Sequence, residues 1–464
     1  MRIRFLTAAA AVVWVVASAS AQNAPRQVSL VVTGGTVVTM DAANRVVSNG
    51  AVAIDGTDIV AVDTADNIAR QFRGRETIDA TGQIVLPGLI NTHTHAAMVL
   101  FRGLADDLAL TEWLNKYIFP AEAKMVSPEF VRAGTRLAAL EMIQSGTTTF
   151  TDMYYFEEEV AKETKAAGLR GVLGQTIIQF PVADAKTPAD ALVRADAFIT
   201  AFKDDPLITP AVAPHAMYTL DGPTLKAARD LSRRYGVPTL IHLAESRDEV
   251  QAAQERFKSS PVAYLESLGF FGPGVLAAHG IWVSDTDIAV LKKRGVSVSH
   301  NPESNMKLAS GTAPVPAYLR AGINIGLGTD GAASNNDLDM FEAMRVAAFL
   351  HKHVTVDPRV LNARTALEMA TIRGARALGL DKRVGSLEPL KHADIITVSV
   401  SGARQTPMYD PISHLVYVAR GDDVQNTVVD GKILMRARKM LTLDEPAILV
   451  EARSWAEKVR AAVK

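Results

Sequence analysis

Residues 83–95, QIVLPGLINTHTH, are the stretch from which the fold of this chain is read most directly. An apolar run passes through Pro87-Gly88 and then delivers two histidines separated by one residue. Side chains two apart on an extended strand point to the same face, so His93 and His95 would project together from one strand end. Such a pair can chelate a metal ion, because imidazole is the commonest neutral metal ligand at physiological pH. Two polar residues at an ordinary strand-to-loop junction would give the same pattern, and only the downstream sequence can decide between the two.

Downstream of this stretch, as far as Leu380, short apolar strands alternate with helical stretches. With the opening strand, seven further segments make eight strands. Alternating β and α units of this number predict a (β/α)8 barrel of the TIM type, in which function lies at the C-terminal strand ends. An open doubly wound sheet is the alternative, but no glycine-rich dinucleotide-binding turn follows the first strand. The seven further segments are 147–154, 170–178, 210–219, 238–246, 274–282, 296–305 and 324–332.

The two ends of the chain share a different texture, in which β-branched runs alternate with turn dipeptides. Asn-Gly at 49–50 and Asp-Gly at 55–56 and 430–431 are typical of hairpin turns, because these residues tolerate a positive φ. Two β-rich segments that bracket the chain most simply form one small β-sandwich built from both termini.

A helix is predicted to close the chain. Asp444 can cap it, Pro446 suits its first turn, and apolar residues at 448, 452, 455 and 459 recur at helical spacing. We interpret it as a packing helix without chemistry. The predicted division of the chain is a signal peptide at 1–21, the N-terminal part of the sandwich at 22–86, the barrel at 87–382, the C-terminal part of the sandwich at 383–440 and the packing helix at 441–464.

The first 21 residues have the pattern of a secretory signal peptide. Arg2 and Arg4 precede an apolar segment that ends near Ala17, and Ala19-Ser20-Ala21 resembles a cleavage site. The pattern predicts export to a periplasm, with no membrane association after cleavage. An uncleaved membrane anchor is the alternative, although the apolar segment is short for a membrane span.

Composition narrows the functional classes. Lys and Arg number 49 against 50 Asp and Glu, with no basic block, so a nucleic-acid partner is not expected. The chain contains no cysteine, which excludes zinc sites with thiolate ligands. Any metal ion must therefore be bound by histidines and carboxylates.

Ionisable residues concentrate at the predicted strand ends. Asp330 ends the eighth strand, and Glu245 follows the fifth-strand histidine by three residues. The four histidines elsewhere are interpreted as surface or loop residues: His351, His353, His392 and His414. Six of the ten histidines lie at strand ends: His93, His95, His215, His242, His279 and His300.

These motifs together resemble the amidohydrolase superfamily, and within it the branch of 5-methylthioadenosine/S-adenosylhomocysteine deaminases and triazine hydrolases (chlorohydrolases). The resemblance covers the whole predicted barrel, and it also implies a small β-domain split between the termini. The motifs that carry it are PGLINTHTH (87–95), RGLADDLALTEWL (102–114), HLAES (242–246), AHG (278–280), SHNPESNMKLASG (299–311) and GLGTDGAASNN (326–336).

The resemblance implies one divalent metal ion held by His93, His95, His242 and Asp330. Zinc is expected, with Fe2+ or Mn2+ as alternatives. Three imidazoles and one carboxylate leave room for a water whose pKa the metal lowers, which generates hydroxide at ordinary pH. Binuclear relatives need a bridging lysine or glutamate at the end of strand 4, where this chain has His215.

The same resemblance assigns catalytic roles. Glu245 would shuttle protons between the attacking water, the ring nitrogen and the leaving amine, while contacting the substrate. His279 would bind and orient the nucleophile, and Asp330 would serve as base and substrate contact as well as metal ligand.

Two further residues match substrate-binding positions of the nucleoside deaminases. Glu122 matches a glutamate that binds ribose hydroxyls, and His215 matches a histidine that contacts the substrate. The loop between strands 3 and 4 departs from the family, because Arg194 is its only arginine and does not align with the family's arginines. The departure weakens the case for a substrate that carries a carboxylate.

The resulting hypothesis is hydrolytic deamination of an aminated purine, a nucleoside such as 5-methylthioadenosine or adenosine, or a related N-heterocycle. The alternative within enzymes is hydrolysis of another C–N bond or ring substituent, as in triazines, guanine or cyclic amides. An exported binding protein of the same fold without turnover is the alternative outside enzymes. The expected partner is a small molecule, and a homo-oligomer is compatible with the sequence.

Overall fold

The computed structural model describes residues 24–463. The predicted signal peptide at 1–21 lies outside the described residues. Within 24–463, no helix combines the length and apolar character that a membrane span requires.

The N-terminal segment folds into five strands of a mixed sheet. The Asp-Gly at 55–56 joins the second strand to the third as predicted, whereas Asn49 lies inside the second strand with a φ of 44°. Opposite it, the register of the first strand shifts on both sides of Gly35, so the Asn-Gly pair marks a β-bulge rather than a hairpin turn. The five strands are β1 (Arg26–Val38), β2 (Val46–Asp55), β3 (Asp58–Thr64), β4 (Phe72–Asp79) and β5 (Gln83–Pro87).

Eight parallel strands then form the predicted barrel. Their hydrogen-bonded order follows the chain, and the last strand meets the first: the Asp330 amide donates to the His93 carbonyl at 2.9 Å, and Thr92 Oγ1 donates to the Leu327 carbonyl at 2.9 Å. All residues of the second and third strands are buried, as expected for strands covered on both faces. The barrel strands are β6 (Leu89–Thr94), β7 (Thr147–Tyr154), β8 (Arg170–Ile177), β9 (Ile208–Pro214), β10 (Thr239–Leu243), β11 (Val275–His279), β12 (Ser297–His300) and β13 (Ile325–Leu327).

The C-terminal strands complete the terminal sheet. β5 pairs with β1 on one side and with the first C-terminal strand on the other, so both ends of the chain form one hydrogen-bonded sheet. Its core joins N-terminal residues such as Val32 and Ile54 with Leu387, Ile395 and Val428. The predicted small β-domain from both termini is therefore confirmed. The C-terminal strands are β14 (Ile395–Ser399), β15 (Val424–Val429), β16 (Lys432–Arg436) and β17 (Lys439–Met440).

The opening stretch QIVLPGLINTHTH is divided between the two sheets at Gly88. β5 belongs to the terminal sheet and β6 to the barrel. A Cβ atom on Gly88 would lie 2.1 Å from the Thr148 side chain on β7, so only glycine fits at this crossing without a shift. One continuous run of sequence thus links the terminal sheet to the strand that bears His93 and His95.

Helices cover the outside of the barrel, and side-chain caps begin many of them. Ser127, Thr187, Asp221 and Ser284, for example, each accept a hydrogen bond from an amide of the following first turn. The helices are α1 (Ala65–Gln71), α2 (Leu110–Glu112), α3 (Phe119–Met125), α4 (Pro128–Gln144), α5 (Glu157–Ala167), α6 (Pro188–Phe202), α7 (Gly222–Tyr235), α8 (Arg247–Phe257), α9 (Pro261–Ser267), α10 (Asp285–Arg294), α11 (Pro302–Lys307), α12 (Val315–Ala321), α13 (Met340–Thr355), α14 (Ala363–Met369), α15 (Ile372–Ala377), α16 (Pro411–Tyr417) and α17 (Glu445–Ala462).

The last helix, α17, matches the sequence prediction. Asp444 caps it by accepting from the Ala447 amide, and Pro446 lies in its first turn. Ile448 and Val459 are buried, and the Trp455 ring contacts Phe130 edge to face at 5.4 Å. The helix therefore packs against the barrel.

Two of the four histidines assigned to the surface are buried, which corrects the sequence interpretation. His351 is 1% exposed on α13, where its Nε2 lies 3.1 Å from that of His300. His414 is 5% exposed on α16. Both belong to helix faces that pack inward, and the short histidine-containing segments give no clear indication of that packing.

Candidate metal centre

The four predicted metal ligands converge at the C-terminal end of the barrel. His93 and His95 extend from β6, His242 from β10, and Asp330 lies just after β13. Asp330 Oδ1 is 3.5 Å from His93 Nε2 and 3.4 Å from His95 Nε2, and His242 Nε2 is 3.4 Å from His95 Nε2. Ligand atoms around a tetrahedral zinc ion at about 2.0 Å stand about 3.3 Å apart, so these three pairs of atoms have the spacing that ligands of a single ion require.

Backbone carbonyls fix the orientation of two of the imidazoles. His95 Nδ1 lies 2.7 Å from the Met153 carbonyl, and His242 Nδ1 lies 2.8 Å from the His215 carbonyl. A carbonyl only accepts, so both Nδ1 atoms carry the proton and both Nε2 atoms present a lone pair to the cluster. This is the orientation that metal-binding histidines require.

The His93 Nε2 atom is buried and makes no hydrogen bond in the described chain. An unsatisfied buried polar atom costs free energy, and such atoms are rare. Burial lowers the pKa of His93 to about 4 and lowers that of His242 well below its ordinary value. Both rings are therefore neutral at physiological pH, which is the form that binds a metal ion. The orphaned nitrogen and the neutral donor set together fit a divalent cation.

Asp330 is held in a strained but well-supported position. Its φ is 65°, in the left-handed region that non-glycine residues seldom adopt. Ser304 Oγ donates to Oδ2 at 2.7 Å, and the Gly331 amide donates to Oδ1 at 2.7 Å. Burial alone would raise the pKa of Asp330, but the imidazoles packed against it, His93 first among them, hold it well below its usual range. The side chain is therefore a carboxylate at neutral pH.

Glu245 and His279 lie beside this cluster. His279 Nε2 is 3.7 Å from Glu245 Oε1 and 3.9 Å from Asp330 Oδ2, and its Nδ1 lies 2.8 Å from Asn305 Oδ1. Burial raises the pKa of Glu245. Burial opposes protonation of His279, yet the two neighbouring carboxylates raise its pKa overall. The pair can therefore hold and exchange protons next to the metal ligands.

A buried glutamate supports the turn that bears Glu245. The Glu249 side chain accepts from the Ala244 amide at 3.0 Å and from the Glu245 amide at 2.9 Å. Ala244 has a φ of 49° and His279 one of 71°. Ala244, His279 and Asp330 thus all have a left-handed backbone conformation at this end of the barrel. Such strained conformations are common at functional sites.

A cavity opens above the cluster, with about 580 Å³ of empty volume that includes open solvent. Glu122 and His215 both line it, together with His95, His242, Glu245, His279 and Asp330. Glu122 accepts from the Tyr154 hydroxyl at 2.7 Å, and burial raises its pKa to about 7. Burial lowers the pKa of His215 to about 3. The structure thus brings seven of the eight predicted site residues to the lining of one cavity, and His93 lies behind it, 3.5 Å from Asp330; their individual roles stay predictions.

Arg194 lies apart from this cavity. Its guanidinium is 2.7 Å from Glu158 and 3.3 Å from Asp184, and it is absent from the cavity lining. The prediction missed Tyr154 and Tyr155, which line the cavity from the end of β7, and Ser304 and Asn305, which orient Asp330 and His279. The signal for the tyrosines was available, because an aromatic pair at a barrel strand end points to a binding pocket.

The fold and the site define a barrel enzyme of the hydrolase type, with a cluster of histidines and one aspartate at the C-terminal strand ends. The chain belongs to the amidohydrolase family, whose model matches residues 84–434.

Curated relatives extend the match over nearly the whole chain. A 5-methylthioadenosine/S-adenosylhomocysteine deaminase from Syntrophobacter fumaroxidans is 47% identical over 93% of this chain and 98% of its own length. A 5'-deoxyadenosine deaminase from Methanosarcina mazei is 45% identical over 94% of this chain and 99% of its own. The predicted family and branch are therefore confirmed.

A solved structure agrees closely with the fold. An adenosine deaminase from Xanthomonas campestris with bound zinc is 38% identical and superposes with a TM-score of 0.93, covering 94% of this chain and 100% of its own. Triazine hydrolase structures match at 24% identity, which shows the shared fold alone.

Proposed function

We propose that this protein is a metal-dependent aminohydrolase that deaminates the adenine ring of adenosine-type nucleosides, such as 5-methylthioadenosine and 5'-deoxyadenosine. The observation that carries the proposal is the convergence of His93, His95, His242 and Asp330 with two proton-exchanging side chains at one cavity. The three relatives named above are deaminases of adenosine or its derivatives, which supports the substrate class.

A single divalent ion fits the cluster, with His93, His95, His242 and Asp330 as ligands. Zinc is the proposed metal, because the Xanthomonas campestris relative was solved with zinc bound. When bound, such an ion supplies a Lewis acid that activates water for attack at neutral pH. The oriented Nε2 lone pairs and the ionised Asp330 supply its ligand field.

Glu245 moves the protons of the reaction. Deamination replaces the ring amino group by oxygen: water adds to the ring carbon, the adjacent ring nitrogen gains one proton and the amine leaves as ammonia with the other. The raised pKa of Glu245 suits a carboxyl group that both accepts and donates a proton during turnover. Its Oε1 lies 3.7 Å from His279 Nε2, which supports a role in proton transfer next to a water held by that histidine.

His279 and Asp330 hold the nucleophile in place. The Nδ1 proton of His279 donates to Asn305, which turns Nε2 toward the cavity, where it can hydrogen-bond the attacking oxygen. The Asp330 carboxylate can accept a proton from that oxygen as well as bind the metal. Together they orient the water before attack, and pre-orientation of this kind accounts for much of enzymatic rate enhancement.

Glu122 and His215 bind the rest of the nucleoside. The Glu122 carboxyl group suits a ribose diol, because two acceptor oxygens match two vicinal hydroxyls. His215 lies beside the metal ligands, its ring centre 4.7 Å from that of His242, and its Nδ1 is held at 3.0 Å from Thr219 Oγ1. Its other nitrogen is therefore placed to contact the substrate near the reacting end.

Ammonia release tests the function. Purified protein, with its metal content measured, is incubated with adenosine, 5-methylthioadenosine, 5'-deoxyadenosine, guanine and a triazine, and the absorbance change of the ring is followed. We expect ammonia from the nucleosides, and Glu245→Gln should abolish it while the metal content stays the same. Turnover of guanine or the triazine alone would replace the proposed activity by hydrolysis of another ring substituent. No turnover of any compound by the metal-loaded protein would favour a binding protein of the same fold.

Export is a separate proposal, supported by the arginines, apolar segment and Ala-Ser-Ala at residues 1–21. Expression of the full chain in its host, followed by fractionation and mass measurement, is the test. We expect a mature protein that begins at Gln22 in the periplasmic fraction. An intact N-terminus in the cytoplasm would contradict it.

A further inference from the structure

A second cavity adjoins the site cavity and shares three of its lining residues. Phe119, Glu122 and Tyr155 line both, so the two cavities meet at Glu122. The second cavity has about 550 Å³ of empty volume, which includes open solvent, and none of the metal-cluster residues lines it. We call it the apolar annex. Its complete lining is Phe119, Glu122, Ala123, Tyr155, Phe180, Pro181, Val182 and Ala183.

The annex is apolar apart from Glu122. Phe119 and Phe180 meet edge to face with ring centres 5.2 Å apart, and Phe180 remains 38% exposed at the rim. Tyr155 is buried on the opposite wall. Large aromatic side chains that line an open cavity offer a site for an apolar group.

The described lining of the annex contains no basic residue. Asp184 directly follows the lining segment 180–183 and accepts from the Phe156 amide and from Gln175, both at 2.8 Å. The helix that follows contributes Arg194, whose guanidinium Glu158 and Asp184 already engage. Lys186, the other basic residue between β8 and Arg194, is exposed and does not line the annex. An anionic group in the annex would therefore meet the Glu122 carboxyl group and no cation of the described lining.

The position of Glu122 sets the direction of a bound nucleoside. Suppose that the amino-bearing ring carbon lies at the metal cluster and the ribose hydroxyls at Glu122. The 5′ end of the ribose would then point away from the cluster, toward the cavity on the other side of Glu122. That cavity is the apolar annex.

We propose that the apolar annex is the subsite for the 5′ substituent, and that it selects uncharged, apolar substituents and rejects those that end in a carboxylate. The inference rests on the proposed nucleoside deamination. The Syntrophobacter relative is named for both 5-methylthioadenosine and S-adenosylhomocysteine. The inference assigns this chain to the first of these substrates, together with other 5′-alkylthio or 5′-deoxy nucleosides.

Three isosteric substrates test the selection. Adenosines that carry a 3-methylbutylthio, a 2-carbamoylethylthio or a 2-carboxyethylthio group at the 5′ position have nearly the same shape, but differ in polarity and charge. We expect kcat/KM to fall in that order, with the carboxylate at least about tenfold below the amide, because the annex would take the carboxylate out of water without a cation to pair with it. Equal or faster turnover of the carboxylate would overturn the inference.

Two variants test whether the annex is the part of the protein that selects the 5′ substituent. Phe180→Ala should lower kcat/KM for the 3-methylbutylthio substrate more than for 5'-deoxyadenosine, which has no group to fill the annex. Ala183→Arg should raise the ratio of carboxylate to amide turnover, because it adds a cation to the lining. An unchanged ratio in either variant would contradict the location.

Lys186→Ala is the matched control, since this lysine is exposed and outside the lining. It should leave all three rates unchanged. A selective loss of carboxylate turnover would show that Lys186 binds that group, and would overturn the exclusion. The absence of deamination for every nucleoside, 5'-deoxyadenosine included, would instead remove the proposed function on which the inference rests.

Discussion

The barrel buries ionisable groups at both of its ends, but these groups are paired with opposite charges at one end and crowded with similar groups at the other. At the N-terminal end of β8, Arg170 is 1% exposed and lies 3.1 Å from Asp394 and 3.1 Å from Asp430 of the terminal sheet. His392 adds a hydrogen bond to Asp430 at 2.6 Å. Every charge at this junction thus has an opposite charge from the chain itself.

The C-terminal end crowds like groups together instead. The ring centres of His93 lie 5.0 Å from those of His95 and of His242 and 5.5 Å from that of His279, while His93 Nε2 has no hydrogen bond in the described chain. No group within residues 24–463 satisfies the His93 Nε2 atom, and a cation would. The difference teaches that the junction serves stability, whereas the site is organised for a group the chain does not supply.

The largest expected effect lies at the site. His242→Ala should abolish metal binding and deamination, because it removes one of three imidazoles whose Nε2 atoms face the ion. Metal analysis and ammonia release measure the two losses. The metal-free variant should lose only about 1–2 kcal/mol of stability relative to the metal-free parent, because it gives up one hydrogen bond, from His242 Nδ1 to the His215 carbonyl. Retained metal at full stoichiometry would contradict the ligand assignment.

At the junction, the loss should fall on stability instead. Arg170→Ala leaves Asp394 and Asp430 buried without their partner, which typically costs about 3–5 kcal/mol. Urea unfolding measures the cost, and the folded fraction should keep its metal and its kcat. Arg26→Ala is the control, because its ion pair with Asp55 in the same sheet is 61% and 38% exposed and should contribute at most about 1 kcal/mol. Similar losses in the two variants would contradict the contrast.

The crossing between the two regions should tolerate little added volume. Gly88→Ala places a methyl group 2.1 Å from Thr148 and should destabilise the protein by about 1–3 kcal/mol. Thr148→Ala in the same chain should recover part of that loss, because it removes the two closest atoms, Cγ2 and Oγ1 at 2.1 Å, and leaves only Cβ at 2.6 Å. Additive losses in the double variant, measured by urea unfolding, would show that the clash is not the cause.

The last effect concerns pH and is absent at neutral pH. Burial lowers the pKa of His351 to about 4, against about 6.5 in an unfolded chain. The unfolded state therefore binds this proton first as the pH falls, so stability decreases between about pH 6.5 and 4, by up to about 1.4 kcal/mol per pH unit. His351→Gln should reduce that slope, whereas His353→Gln, two residues along α13 and exposed, should not. Equal slopes in unfolding experiments would contradict the burial argument.

Much of the barrel was predictable because its signals are local. Each strand is a short apolar run, and each predicted ligand follows such a run directly, so the chain order of His93, His242 and Asp330 already implies a common end of the barrel. The same holds for the Asp-Gly turn at 430–431, where Asp430 and Gly431 both have positive φ.

The remaining features depend on contacts distant in sequence. The carbonyl that orients His95 belongs to Met153, 58 residues along the chain. The lining of the annex brings together Phe119 and Phe180, which are separated in sequence by several helices and strands. The burial of His351 depends on His300, and Asn49 became a bulge because Gly35 of the partner strand shifts register there. Local sequence patterns do not encode such pairings. The metal ligands could therefore be predicted from the sequence, but the contacts that orient them could not.

Anomalous diffraction from crystals of the metal-loaded protein tests the central claim most directly. The account predicts one peak at the zinc edge, about 2 Å from Nε2 of His93, His95 and His242 and from an oxygen of Asp330, with one position left for water or substrate. Two peaks, a peak elsewhere, or an ion whose ligands come only from the protein with no position left would contradict it.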